Sequence, residues 1–139
     1  MHRLLTPLLA SLLPLAPLAV AETDRHIGIE LNATATDLQS CTLTFVVQNG
    51  LAERIEELVV ETVLFAKDGA VDRLTLFNFG EVPAGRPRVR QFLVDGAACD
   101  ELGQILFNGT ERCAGATLTR EICDTALRTS SRTTIEVLH

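Results

Sequence analysis

The sequence LVVETVLFAKDGAVDRLTLF occupies residues 58–77 and decides the fold prediction. Residues 59–63 are mostly β-branched, which favours a strand. Lys67-Asp68-Gly69 has the composition of a hairpin turn, and residues 71–79 then return as the partner strand. Residues 51–58 also have a composition compatible with a helical turn, so the sequence does not determine the residue at which the first strand begins.

Outward from this hairpin, alternation of apolar and polar residues predicts further strands. They cover residues 27–31, 41–47, 88–94, 104–107 and 133–138, with turns at Asn49-Gly50, Pro83-Ala84-Gly85 and Asn108-Gly109. Residues 119–127 are predicted to form a short helix with Thr117 or Thr119 as its N-cap. The pattern predicts a mainly β chain of about seven strands with one short C-terminal helix. We expect a single antiparallel β-sandwich with immunoglobulin-like layering.

The N-terminus has the features of a signal peptide. Met1-His2-Arg3 is followed by 17 almost wholly apolar residues, Leu4 to Val20, and Ala19-Val20-Ala21 at the end of this run is a small-x-small cleavage site. The apolar run is shorter than the roughly 20 residues of a membrane-spanning helix and is interrupted by three prolines. Residues 1–21 are therefore a predicted cleaved signal, and residues 22–139 are the predicted β-sandwich domain, without a stable membrane anchor.

The charge balance excludes one class of partner. The chain has 12 basic and 18 acidic residues, and removal of Arg3 with the signal leaves 11 against 18, a formal charge of −7. Nucleic acid binding requires a basic face, so this class is excluded. Trp and Tyr, which are enriched at binding hot spots, are absent.

Four cysteines lie in the predicted mature chain: Cys41, Cys99, Cys113 and Cys123. An even count in an exported protein predicts two disulfides, for which three connectivities are possible. We favour Cys41–Cys99 with Cys113–Cys123, because the first would close a long loop and the second a short local one. A metal site is the alternative, but there is no Cys-x-x-Cys pair and the mature chain has only two histidines.

No motif predicts catalysis or a cofactor. The mature serines lack the glycine frame of a nucleophile elbow, and His26 and His139 lie near the chain ends. Glu57 and Glu61 would share one strand face and could act as paired carboxylates or bind calcium, but a solvated face explains them more simply. We therefore predict that the protein is not an enzyme and binds no cofactor or metal.

Four arginines form the candidate binding site. Arg86, Arg88 and Arg90 are spaced by two, so they would project from one strand face, and Arg73 could join them from the neighbouring hairpin. One interpretation is a ladder of ion pairs to Asp72, Glu57 or Glu61. The other is a strip that binds an anion or a partner at an exposed edge strand, for which Pro87 is suited.

Several segments resemble an uncharacterised family of small exported alphaproteobacterial proteins, often called "Tat pathway signal sequence domain protein". The resemblance lies in residues 61–65, the Asp68-Gly69 turn, residues 71–77, Pro83 with residues 88–92, and residues 130–137. The order of strands and turns is also loosely similar to FxLYD-like sandwich modules of bacterial envelopes. The chain departs from the family label because Arg3 stands alone, without the paired arginines of a twin-arginine signal. Neither resemblance implies an activity or catalytic residues.

These observations predict an exported periplasmic protein, with an extracellular location as the other possibility. Its expected role is that of a non-catalytic module that binds an envelope or periplasmic protein or assists envelope assembly. The alternative is a carrier of a small ligand or anion, or an enzyme, that uses the Arg88 and Arg90 strand face. A purely structural envelope protein is a third interpretation.

Overall fold

The computed structural model describes residues 25–139, which form two packed four-stranded sheets. The first sheet has the order β5-β2-β1-β7 and the second the order β4-β3-β6-β8. The strands are β1 (Ile27–Asp37), β2 (Ser40–Asn49), β3 (Ile55–Ala66), β4 (Val71–Val82), β5 (Arg88–Asp95), β6 (Leu102–Ala114), β7 (Leu127–Ser131) and β8 (Glu136–Leu138), and the single α-helix is α1 (Arg120–Ala126). The predicted signal peptide lies outside the described residues.

The β-sandwich prediction is confirmed, with two corrections to its topology. The structure has eight strands, and its sheets are mixed because β7 runs parallel to β1 and β8 runs parallel to β6. The strand predicted for residues 133–138 is present only as β8, in the second sheet, and β7 is an additional strand, in the first sheet, that the sequence did not indicate. The chain bends at residues 132–135 to pass between them.

Two Asn-Gly pairs behave differently from the turns expected of them. Asn108-Gly109 lies inside β6, where Thr62 pairs with Phe107 and Glu61 with Gly109, so Asn108 is the extra residue of a β-bulge. Strand β6 therefore runs far beyond the predicted residues 104–107. Asn49 is buried at the end of β2, and the chain after it crosses to the other sheet instead of forming a hairpin.

The ambiguous stretch before the central hairpin is a strand from Ile55 onward. Central β3 residues are buried on both faces, as is expected of a strand that lies between two neighbours. Its turn to β4 contains Gly69 at a φ of 87°, a conformation that favours glycine. The hairpin expected from the sequence is therefore present.

Phenylalanine side chains fill the centre of the sandwich. Phe77 of β4 and Phe92 of β5 stack with ring centroids 4.1 Å apart, and these strands belong to different sheets. Phe45 and Phe79 pack against this pair, and Phe107 packs against Phe45 and Phe79, with centroid distances between 5.2 and 6.5 Å. Each such aromatic contact contributes about 0.5–1.5 kcal/mol beyond the burial of its area. Five of the six phenylalanines thus join the sheets near their β4 and β5 edges.

Two disulfides fix the connections at either side of the core. Cys41 of β2 is bonded to Cys99, which begins a 3-10 turn (Cys99–Glu101) before β6. Cys113 of β6 is bonded to Cys123 of α1. This is the pairing favoured by the spacing, and disulfides of this kind are typical of proteins in oxidising, extracytoplasmic compartments. In the part of the chain described, no helix has the length and apolar character of a membrane span.

Candidate functional site

The arginines of the candidate strip occupy three different settings. Arg88 and Arg90 both lie on β5, whereas Arg86 is exposed in the turn before that strand. Arg73 lies on β4, where its Nε donates to Asp72 at 2.6 Å. It is six residues from the part of β4 that Arg90 contacts, which is roughly 20 Å along a strand. The structure therefore brings Arg88 and Arg90 together and places Arg73 apart from them.

All three guanidinium nitrogens of Arg90 donate hydrogen bonds to backbone carbonyl oxygens. Its Nε donates to the carbonyl oxygen of Phe79 at 2.7 Å and its Nη2 to that of Glu81 at 3.2 Å. Nη1 donates to the carbonyl of Val89 in its own strand at 3.0 Å. Since β4 and β5 are the edges of the two sheets, one guanidinium joins both edges. We call this arrangement the Arg90 clip.

The clip depends on a local distortion of β4 at Gly80. Gly80 has a φ of 66°, and its amide donates to the side chain of Asn78 at 2.8 Å. The pairing with β3 is irregular here, because Val59 pairs with Asn78 while Leu58 pairs with Gly80. A glycine tolerates this left-handed conformation without strain. The Arg90 side chain lies next to this bend and donates to the carbonyl oxygens of Phe79 and Glu81, the residues on either side of Gly80.

The expected ladder between the arginines and the carboxylates is not formed. Glu57 is paired with Arg112 of β6, with Nε and Oε2 2.5 Å apart, and Glu61 accepts a hydrogen bond from Asn108. No ion pair between described residues involves Arg86, Arg88 or Arg90. Only Asp72 pairs with a member of the strip, namely its sequence neighbour Arg73. The ladder interpretation is therefore wrong for the β5 arginines.

One carboxylate has a shifted pKa. Hydrogen bonds from the Thr117 side chain and then from the Thr117 amide lower the pKa of Glu53 below its ordinary value of 4.5. Glu53 lies after β2 and Thr117 lies before α1, so this contact connects two loops. Hydrogen bonds to the charged form are the cause, and the Glu53 residue is half-buried. The contact is suited to holding loops together and offers no acid–base pair.

The second sheet carries an apolar row that crosses all four of its strands. Val63 of β3 lies opposite Leu74 of β4 and opposite Leu106 of β6, and Leu106 lies opposite Leu138 of β8. Residues that face each other in a sheet point to the same side. Because Leu74 is 62% exposed and Leu138 38% exposed, this side faces outward. We call Leu74, Val63, Leu106 and Leu138 the apolar row.

The apolar row ends at the open edge of β4. Val71 and Leu76 are 62% and 53% exposed on the same strand. In the described part of the chain β4 pairs only with β3, so its other side is an edge. The Arg90 clip occupies carbonyls at Phe79 and Glu81, and residues 71–77 lie before it. An apolar strand edge without such protection is a site at which another extended segment can pair.

Sequence reasoning missed this surface. The signal lay in β4 itself, where Leu74 and Leu76 alternate with Thr75 and precede Phe77, which makes the strand apolar on both faces. The row becomes visible only when the register of β3, β6 and β8 is known.

Comparison of the chain with protein-family models and with curated proteins finds no match. Within residues 25–139, no three His, Cys, Asp or Glu side chains lie close enough together to hold a metal ion.

Proposed function

We propose that the protein is an exported, non-catalytic module that binds a partner protein through the open edge of β4. The observation that carries this proposal is the coincidence of an unprotected strand edge, residues 71–77, with the outward apolar row. The partner is an envelope or periplasmic protein that contributes an extended segment with apolar side chains at alternate positions.

The contrast between the two ends of β4 supports this location. At the Gly80 end the Arg90 clip binds backbone carbonyls, which is one of the ways in which proteins prevent unwanted strand pairing. At the Val71 end Val71, Leu74 and Leu76 are exposed beside the Asp72–Arg73 ion pair, and exposed apolar side chains grouped in this way are typical of interaction sites. Selective protection of one end leaves the other available for pairing.

The compartment belongs to the same proposal. The two disulfides support an oxidising location, and the N-terminal sequence predicts export to the periplasm. The immunoglobulin-like description of the sandwich stays a prediction.

Site-specific crosslinking in the exporting cell tests the proposal. A photoreactive residue at position 74 is expected to give a discrete adduct, and the same residue at position 38 is expected to give none. Leu38 is a matched control because it is 92% exposed in the β1–β2 turn, away from the apolar row.

The adduct should disappear when Leu76→Lys is added, because a charged side chain on an edge strand disfavours pairing with another strand. An adduct that survives Leu76→Lys, or equal adducts from positions 74 and 38, would show that β4 pairing is not the mode of binding. Absence of any adduct at positions 71, 74 and 76 would contradict the proposal as a whole.

The alternative, an anion carrier or enzyme on the Arg88 and Arg90 face, has less support. The Arg90 guanidinium already donates to three carbonyl oxygens, so it presents fewer donors to a ligand. A ligand bound there would raise the unfolding temperature in a screen of anions. No shift with any anion would exclude it.

A further inference from the structure

A groove of about 440 Å³ lies at one end of the sandwich, between α1 and the beginning of β1. It is distant in the chain from the β4 edge, and neither the arginine strip nor the apolar row contributes to it. Ligand pockets commonly have volumes of 300–1,000 Å³, and this groove falls in that range.

Three segments far apart in sequence meet to form the groove. Ile27 of β1 lies beside Leu127 of β7, which places the residue before β1 next to the end of α1. The amide of Gly50 donates to the carbonyl of His26 at 2.8 Å, which brings the residues after β2 to the same place. The Cys113–Cys123 disulfide attaches α1 to β6. The groove is therefore built on fixed elements.

The floor of the groove is apolar. Leu51 packs against the core, and Ala126 at the end of α1 is buried. Ile122, one turn earlier on the same helix, is 45% exposed, although its neighbour Cys123 is completely buried. A large apolar side chain left uncovered beside two others indicates a surface that an apolar group can cover.

The rim of the groove is basic. Arg25 and Arg128 line it with one carboxylate, Glu121. Arg128 is held in place because its Nη1 donates to the carbonyls of Thr125 and Leu127 at 3.0 and 2.6 Å. These bonds do not use its Nε and Nη2 donors. No ion pair between described residues involves either arginine. Two guanidiniums above an apolar floor complement an anionic head attached to an apolar chain.

We propose that this groove binds an anionic amphiphile with a single apolar chain and a carboxylate head. The head is bound by Arg25 and by the free donors of Arg128, and the chain covers Leu51, Ile122 and Ala126. The occupant is an amphiphile and not an added strand, because the groove is formed by a helix and side chains and includes no residue of the β4 edge. The net charge of the chain is negative and repels an anion at long range. Binding therefore depends on short-range contacts with Arg25 and Arg128.

Calorimetric titration of the exported protein with sodium dodecanoate, kept below its micelle concentration, tests the proposal. Saturable binding is expected, and dodecyltrimethylammonium should bind at least roughly tenfold more weakly because its head has the wrong charge. Shifts of the Ile122 methyl resonances should accompany dodecanoate binding. No saturable binding, or equal binding of the two amphiphiles, would overturn the proposal.

Variants separate the head site from the chain site. Arg25→Gln and Ile122→Asn should each weaken dodecanoate binding by roughly tenfold, whereas Arg132→Gln and Leu38→Asn should leave it unchanged within about twofold. Arg25 makes no contact that the fold depends on, so Arg25→Gln remains informative even if Arg128→Gln destabilises the helix end. Equal affinities for wild type and Arg25→Gln would contradict the assigned head site. This outcome has no bearing on crosslinking at position 74, so the two proposals fail independently.

Discussion

The guanidinium of Arg90 reaches from the edge strand of one sheet to the carbonyl oxygen of Phe79 in the edge strand of the other, 2.7 Å away. The neighbouring residues Phe92 and Phe77 make the same connection through their stacked rings. Polar and aromatic contacts therefore close the same side of the sandwich. This relationship gives the arginine a structural role and leaves the adjacent part of β4 open.

The Arg90 clip should stabilise the fold. Arg90→Met keeps the apolar stem but removes three hydrogen bonds to carbonyls, so we expect a loss of about 1–2 kcal/mol in the free energy of unfolding. Urea titration measures the loss. Arg86→Met is the control, since Arg86 is exposed and should change stability by less than about 0.5 kcal/mol. Equal effects of the two substitutions would contradict the role of the clip.

Buried Asn49 should be sensitive to substitution. Its Nδ2 donates to the carbonyls of Glu53 and Val82, and its Oδ1 accepts from the amide of Leu51. Asn49→Ala leaves these groups without partners and should cost about 2–3 kcal/mol.

Asn49→Asp should be at least as destabilising at neutral pH, because a carboxylate would face two carbonyl oxygens. Its unfolding free energy should approach that of Asn49→Ala when the carboxyl is protonated in acid. Chemical denaturation at pH 7 and pH 4 provides the comparison. An aspartate variant as stable as wild type at pH 7 would refute this account of the site.

The two disulfides should differ in their contributions. Loop-closure entropy gives about 4 kcal/mol for Cys41–Cys99, whose sequence separation is 58, and about 3 kcal/mol for Cys113–Cys123, whose sequence separation is 10. Paired substitution to alanine, with thermal unfolding as the measurement, should show the larger loss for the first pair. Peptide mapping without reduction should find only these two linkages. Any other pairing of the four cysteines would contradict the positions of Cys41 beside Cys99 and of Cys113 beside Cys123.

The Glu53–Thr117 contact predicts a pH dependence of stability. Because hydrogen bonds lower the pKa of Glu53 in the folded protein, its stabilising contribution is present above the unfolded-state pKa of 4.5 and is lost as the pH falls through the lower folded value. Titration followed by NMR should find the pKa of Glu53 below 4.5 in wild type and closer to it in Thr117→Val. An unchanged pKa in that variant would exclude the Thr117 side chain as the main cause.

Local features were predictable from the sequence, and features that depend on register were not. The Asp68-Gly69 hairpin and the Thr119 N-cap, which accepts from the amide of Ile122, follow from neighbouring residues alone. Asn108-Gly109 was misread as a turn because the same dipeptide suits a bulge, and the choice depends on whether β3 continues alongside. The separate destinations of β7 and β8 likewise depend on which strands have unpaired edges.

The same limit applies to the candidate site. A spacing of two placed Arg88 and Arg90 on one strand, as expected, but the partner of Arg90 depends on the bend at Gly80 in a different sheet. The apolar row joins Leu74 to Leu138 through two intervening strands. A local sequence pattern cannot predict this row, because the row arises from the pairing of strands that are distant in the chain.

The division of the tail between the two sheets has a consequence for the order of folding. Strand β7 completes the first sheet and β8 the second, and both follow α1 in the chain. The first sheet therefore cannot be completed before residues 127–131 are available, and the second cannot be completed before residues 136–138 are available. Pairings between segments this far apart are slow to form. Until these two tail segments are in place, the strands with which they pair, β1 and β6, each have one unpaired edge.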